Sequence, residues 1–487
     1  MRRRSLIALL AVLPVLAAFL LPQRVAPKET FAVVDTLASG LTVPWDICFL
    51  PSGEMLFTER NGKVRIYNKE RLAEKPLLQV DGIEVKGKMG LLGLCLHPLF
   101  SSNHLIYLAY NYRKEDHTFL RVARYEYSND SLVNPLTIIE NIPGVFNHTG
   151  CRLKFGPDKK LYITTGDADV PKLAQDLKAY NGKILRLNDD GTVPADNPFM
   201  HNDTALHEIW SYGHRNSQGI AFQPGTGYLL STEHGPTGGD EVNSITKGSN
   251  YGWPVIHHRD RHDAMMSPLL EFTPSIGPAE ALFYSGKAFP GLKGHLMAGC
   301  MRGEAILNIS LTGTVAGSYN FLLKKKYGRI RALAEGPDGY LYFSTSQVDP
   351  PESNMQPGDR GVDLILRLRP AKSKTEANAF VLETSGTMTD ALMRKTPSAN
   401  DQAKTTSSRT SAVLYTQLCA GCHGAAMEGK DKIPSLIDNT WINGGTKAAI
   451  EKSISSGIIP KGMPAWEGVL SKEEVGQMAA YILKQKK

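Results

Sequence analysis

The feature that most limits how this chain can fold is a loose unit that recurs six times. The unit is an apolar strand, a turn built on proline and often glycine or aspartate, then a second apolar strand. It reads "ICFLPSGEMLFTER" around Pro51, "LCLHPLFSSNHLIYLAY" around Pro98, "LKFGPDKKLYITTGD" around Pro157 and "IAFQPGTGYLLSTEHG" around Pro224. A weaker copy, "KAFPGLKGHLMAGCMRG", surrounds Pro290, and "LAEGPDGYLYFSTS" surrounds Pro337. The copies lie roughly 45 to 70 residues apart, as the strands of successive propeller blades do. Six copies predict an all-β, six-bladed propeller. Their unequal spacing implies long inserted loops, and loops on one face of such a disc are where a site is built.

At 487 residues, 42% hydrophobic and 21% charged, the chain has room for more than one domain. The propeller pattern stops after about Arg369. The stretch that follows is rich in Ser, Thr, Lys and Ala, with only "AFVLETSG" apolar, and reads as a linker over 371–411. From about Ala412 the pattern turns helical. Ser471 precedes Glu474 at capping-box spacing, and Val475, Met478, Ala479 and Ile482 share one helical face. The expected organisation is an N-terminal segment 1–30, a propeller 31–370, the linker, and a small all-α domain 412–487.

That last domain carries "YTQLCAGCHG", in which Cys419, Cys422 and His423 form C-x-x-C-H. Two thiols at this spacing with a histidine directly after the second can clamp and ligate a haem. "GMPAW" offers Met463 about 40 residues downstream as second axial ligand, and Pro464 stiffens its loop. The competing role for Met463 is filling the core. The rival ligand Met427 lies too near the cysteines to reach the other haem face. With a C-terminal helix, this set resembles a class I cytochrome c carrying haem c.

The N-terminus, Met1-Arg2-Arg3-Arg4 followed by an apolar run from Leu6 to Leu21, reads as an export signal. No small-x-small cleavage site follows it, so both a cleaved leader and a retained inner-membrane anchor stay open, although the run is short for a full span. A periplasmic or exported location suits covalent haem attachment. Of the other cysteines, Cys48, Cys95, Cys151 and Cys300 are even in number, which permits disulfides. Cys48 and Cys95 sit in apolar runs, where a thiol behaves as a small buried hydrophobe. The formal charge of +7 is spread along the chain, so nucleic acid is not an expected partner.

A haem that only passes electrons implies an upstream redox reaction. From about Thr36 to Arg369 the chain resembles the soluble glucose/sorbosone (aldose sugar) dehydrogenases that use pyrroloquinoline quinone, PQQ. The stretches that carry the resemblance are "FNHTGCRLKFGPDKKLYITTGDA", "NGKILRLNDDGTVPADNPF", "GHRNSQGIAFQP", "EHGPTGGDEVN", "GSNYGWP" and "YGRIRAL". His148 in "NHTG" suits the base that takes a hydroxyl proton as hydride leaves. The resemblance pairs it with Asp167, which would fix the imidazole tautomer. It assigns Arg215, beside Asn216 in "GHRNSQG", to the quinone oxygen, where a permanent cation offsets developing charge. Arg329 and Arg331 alternate in "GRIRAL" and would share PQQ carboxylates. Gly235 and Pro236 would offer backbone carbonyls to a calcium ion. Asp240 and Glu241 read equally as calcium ligands or as loop carboxylates.

Two positions depart from the family pattern. Gly87-Lys88-Met89-Gly90 stands where a Gln or Glu precedes "GLLG", and Met301 in "CMRG" replaces a cofactor-binding lysine. Lys88 is read as partly restoring the lost charge toward PQQ. His234 stands where the glucose enzymes carry Gln. The expectation is a quinohaemoprotein dehydrogenase that oxidises an aldose or related alcohol or aldehyde and passes electrons through its own haem to an external acceptor. The alternative is a non-catalytic propeller scaffold carrying an electron-transfer module.

Overall fold

A computed structural model describes residues 29–258, 260–313, 315–347, 361–382 and 411–419, and beyond these 423–424, 426–429, 433–438, 441–458, 463, 470 and 472–485. The export segment therefore lies outside the described residues, except for its last two positions, which open the strand Glu29–Leu41.

Among the described residues the strands form six antiparallel sheets. Their first strands are Pro44–Phe49, Leu91–Leu96, Leu153–Phe155, Ser217–Phe222, Pro278–Phe283 and Ile330–Glu335, here blades 1 to 6. Each first strand touches the first strand of the next blade, and blade 6 touches blade 1, so the ring is closed. All six repeat prolines fall in the turn between the first and second strands of a blade. In blades 3 and 6 the turn repeats bond for bond. The Tyr162 hydroxyl donates to Asp158 at 3.0 Å and the Tyr342 hydroxyl to Asp338 at 2.8 Å. The amides of Lys160 and Tyr340 donate to the same two carboxylates at 3.1 and 3.0 Å.

Blade 6 is completed from both ends of the propeller sequence. Glu29–Leu41 pairs with Asp363–Pro370, and Ala379–Leu382 adds an outermost strand. This last strand is the apolar "AFVL" of the stretch read as a linker, so the propeller sheet extends to Leu382. Asp35 fastens the join, accepting from Arg367 at 3.0 Å and from Arg369 at 2.8 Å. Radial repetition leaves only short, protected sheet edges, and the N-terminal strand ties the last blade to the start of the chain.

The core is a set of apolar seams between neighbouring blades: Leu56 with Leu94, Leu153 with Ile142, Ile184 with Ile220, Leu230 with Leu307, Met297 with Leu333, and Phe57 with Ala332. On the axis, Arg152 from blade 3 meets Asp46 from blade 1 at 2.9 Å and Glu280 from blade 5, and stacks 4.1 Å above the Trp45 ring. A cavity of about 970 Å³ opens at the turn end of this channel, with Asp46, Glu280, Lys154 and Glu335 in its wall. Cys48, Cys95, Cys151 and Cys300 are unpaired thiols.

In the C-terminal part, helices Ser411–Leu418, Lys447–Ser456 and Lys472–Lys484 pack around Tyr415, Met427, Ile450, Ile454, Met478 and Ile482. Thr446 caps the middle helix, its hydroxyl accepting from the Ala449 amide at 3.2 Å. The last helix buries Val475, Met478, Ala479 and Ile482, while Ser471 lies outside the described residues. No helix among the described residues is long and apolar enough to cross a membrane.

Candidate active site and haem module

In an antiparallel blade, the start of the first strand and the end of the second lie at the same end of the sheet. His148 comes just before blade 3, Arg215 and Asn216 just before blade 4, Lys88 just before blade 2 and Arg329 just before blade 6. Asp167, Gly235, Pro236 and Met301 follow second strands. Topology thus gathers these residues at the mouth opposite the six proline turns.

His148 Nδ1 lies 2.7 Å from Asp167 Oδ1 and 3.1 Å from Asp169. Burial raises the Asp167 carboxyl, but the charge and hydrogen bond of His148, then Arg215 and Trp253, outweigh it and hold the group below its ordinary range. An ionised carboxylate only accepts, so Nδ1 carries the hydrogen and Nε2 is the basic nitrogen. His148 has a left-handed φ of +48°, uncommon outside glycine and characteristic of constrained functional loops. The approach is tight: a Cβ on Gly166 would collide with the His148 carbonyl, so only glycine fits beside Asp167.

The Asp167 amide donates to the Arg215 carbonyl at 2.8 Å, which joins the two loops. Glu233 shapes the Arg215 turn from below. It accepts from the Arg215 amide, from the Asn216 amide at 3.3 Å and from His214 Nδ1 at 3.0 Å. The Arg215 side chain donates to the His234 carbonyl at 3.0 Å and stacks 5.3 Å from the Trp253 ring. Asn216 is buried, its amide oxygen accepting from Gln218 at 2.9 Å. Arg331 is buried within 3.4 Å of both Gln218 and Ser346. Arg329 is half-buried and precedes the strand, which begins at Ile330, so the expected alternation of the two arginines along one strand starts only there.

His234 registers the summed charge of this mouth. Burial, then Lys88, Arg331, Arg215 and Arg302, hold its imidazole well below the usual range. The charge of Lys88 thus reaches this mouth, and Arg302, next to the buried Met301, adds a cation the sequence reading passed over.

Gly235 and Pro236 line a small pocket with Arg215, Glu233, Glu241 and Trp253. A Cβ on Gly235 would strike the carbonyl oxygens of Gly238 and Gly239, so backbone oxygens crowd this loop. Asp240 is fully engaged as a loop carboxylate. It accepts from the Gly235 amide at 2.9 Å and from Ser275, Ile276 and Gly277 at 2.7 Å. Glu241 is pushed up to about 8 by burial and then by the charge of Glu233.

In the C-terminal domain the Cys419 amide donates to Tyr415 at 2.8 Å and the His423 amide to Cys419 at 2.9 Å, which puts Cys419 and His423 one helical turn apart. His423 Nδ1 lies 3.2 Å from the Pro434 carbonyl, so its hydrogen sits there and Nε2 is left for iron. Met463 pairs with Ile458 and packs, like Cys419, against the apolar cluster. Met427 is part of that cluster's buried core. Cys422 lies outside the described residues. A neutral imidazole and a thioether against an apolar wall fit a haem.

Residues 41–351 match the family model described as Glucose / Sorbosone dehydrogenase. The chain belongs to that family. Aldose sugar dehydrogenase YliI of Escherichia coli (strain K12) is 34% identical over 333 residues, 64% of this chain and 90% of that protein. The PQQ-bound form of aldose sugar dehydrogenase from Streptomyces coelicolor superposes with a TM-score of 0.61 at 31% identity, covering 71% of this chain and 99% of that one. Residues 407–482 match the model for cytochrome c oxidase, cbb3-type, subunit III. The cbb3-type cytochrome c oxidase subunit CcoP of Azospirillum brasilense is 38% identical over 81 residues, 14% of this chain and 28% of that protein. A PQQ-type sugar dehydrogenase propeller and a cytochrome c domain thus share one chain, which is an oxidoreductase with a haem module.

The mouth of this propeller fits the quinone cofactor of the family. Arg215 Nε and His234 Nε2 are enclosed with no hydrogen-bond partner among the described residues, and the positive charge of Lys88, Arg331, Arg215 and Arg302 is felt at His234. A planar quinone with carboxylates supplies both the acceptors and the negative charge. Sequence reasoning missed Asp169, Glu233, Trp253 and Arg302. Each lies within or beside a family stretch, but its role is set by contacts far along the chain, and no spacing rule reports those.

Proposed function

We propose that this protein oxidises an aldose at C1, or a related alcohol or aldehyde hydrate, outside the cytoplasm, and delivers the electrons through its haem to an external acceptor. The observation that carries this reading is the His148–Asp167 pair, 2.7 Å apart and joined through Asp167 to the Arg215 loop. PQQ, when bound, supplies the hydride acceptor; haem c supplies a one-electron carrier. The chain's own work is to remove a proton and hold charge. His148 Nε2 takes the C1 hydroxyl proton, and Asp167 holds the tautomer and stabilises the imidazolium that forms. Arg215 places a fixed positive charge where an oxyanion grows. Lys88, Asn216, Arg329 and Arg331 would hold the cofactor. Net, the aldose loses two electrons and two protons and becomes a lactone.

Calcium would bind the carbonyls of Gly235 and Pro236. Supporting this are the carbonyl-crowded loop and the carboxyls of Glu233 and Glu241, whose mutual repulsion a divalent cation relieves. Haem ligation would come from His423 and Met463, with Cys419 and Cys422 as covalent anchors. The exported location is supported by the N-terminal sequence and by the cytochrome c domain.

The test is to titrate PQQ and calcium into the haem-loaded chain and follow haem absorption during addition of a panel of aldoses. Sugar-dependent haem reduction that requires PQQ is expected. PQQ binding without haem reduction by any aldose would overturn the substrate class. Failure to bind PQQ would overturn the enzyme reading altogether.

A further inference from the structure

Trp253 lies on the loop after blade 4's third strand, far in sequence from His148. Its indole Nε1–H donates to Asp167 Oδ2 at 2.8 Å, the oxygen that His148 does not use. Its ring lies 5.3 Å beneath the Arg215 guanidinium. The indole is buried and its backbone is pinned on both sides: its amide donates to the Gly213 carbonyl at 2.9 Å, and Gln175 donates to its carbonyl at 2.6 Å. One rigid side chain therefore touches both halves of the site.

We infer that Trp253 is a positioning residue, holding Asp167 and Arg215 in fixed relation and limiting how strongly Asp167 draws the proton onto His148. The inference rests on the proposed role of His148 as base. An N–H donated to the far oxygen spreads the carboxylate charge, so Asp167 becomes a weaker acceptor toward Nδ1. Asp167 feels Arg215 in the same direction, while Asp169 faces Nδ1 at 3.1 Å and opposes it. Among the described residues, the titratable His257 also packs against Trp253, with its ring 6.5 Å from the indole. Remove the indole N–H and Asp167 gains charge density, the imidazolium is favoured, and the base is occupied by a proton at higher pH.

The variant Trp253→Phe keeps a ring under Arg215 and deletes the donor. In the full haem-bearing chain without PQQ, the proton resonance of the His148 Nδ1–H to Asp167 bond is expected to move downfield. With PQQ and calcium bound, the acid limb of the kcat profile for aldose-driven haem reduction is expected to move up by about one pH unit, a tenfold loss of rate on that side. KM should stay within about twofold, because the deleted N–H is committed to Asp167 rather than turned to a ligand. An unmoved resonance, or a change in KM alone, overturns the inference. If Trp253→Phe does not fold, the wild-type indole Nε1–H decides: a downfield, slowly exchanging signal is expected, and exchange as fast as that of a solvent-exposed indole overturns it. The two readings fail separately. A shifted resonance in a chain that oxidises no aldose removes the proposed function and keeps the positioning role.

Discussion

At the turn mouth of the propeller channel, Asp158 and Asp338 make the same two hydrogen bonds in blades three apart, each to a tyrosine hydroxyl and a turn amide. At the loop mouth no such repetition appears: one blade brings His148, the next Arg215, another Arg331, and two successive second strands run out into Asp167 and Gly235. The same strands serve both ends. Repetition at one mouth closes a ring, and departure from repetition at the other creates a cavity with converging charges. Between them, Arg152, Asp46 and Glu280 fill the axis. Catalytic residues can therefore vary without disturbing the hairpins that hold the ring.

The sharpest way to test this separation is His148→Ala. Turnover should fall about 10²–10⁴-fold with the loss of the base, while the urea midpoint stays put. A matching loss of stability would mean that the loop mouth is structural after all. Arg152→Met strikes the axis instead. It leaves two carboxyls buried without their cation, so unfolding measurements should show a loss of about 3–5 kcal/mol. A loss under about 1 kcal/mol would show that the axial cluster does not tie alternate blades together.

The pH dependence gives a subtler probe of the axis. Glu280 is pushed up to about 8, chiefly by burial, and Arg152 opposes this only in part. The folded protein therefore keeps a proton that the unfolded chain releases near its ordinary value of 4.5. Stability should fall as pH rises from about 4.5 to about 8, at no more than about 1.4 kcal/mol per pH unit from this group. Glu280→Gln should flatten that slope in denaturation curves measured across the range; an unchanged slope would assign it elsewhere.

Lys88→Ala tests the loop mouth more gently. PQQ affinity should weaken about tenfold, read by cofactor titration, with the order of preference among aldoses unchanged. Unchanged binding would remove Lys88 from the cofactor's charge balance. Smallest of all, Asp338→Ala deletes two partly exposed hydrogen bonds of one turn and should cost about 1 kcal/mol of stability with turnover intact. A loss of turnover there would couple the two mouths.

Much of this was legible in the residues. The proline turns gave away six blades because a strand–turn–strand unit is local, and local geometry is written in adjacent residues. His148, Asp167 and Arg215 were found through family stretches rather than spacing. His148 stands 19 positions from Asp167, and Asp167 stands 86 from Trp253, so they meet only in the fold. The strand Ala379–Leu382 was hidden because its partner, Glu29–Leu41, lies at the far end of the propeller sequence. Trp253 and Arg302 were hidden for the same reason.

The repeat number and the haem motif were set by the order of residues alone, because each depends on neighbours within a few positions. The folded ring was needed to show that Trp253 holds Asp167, that the charge of four cations reaches His234, and that Arg152 joins blades 1, 3 and 5. Those contacts exist because ring closure brings distant segments together at one mouth and on the axis, and no local pattern encodes the distance between them.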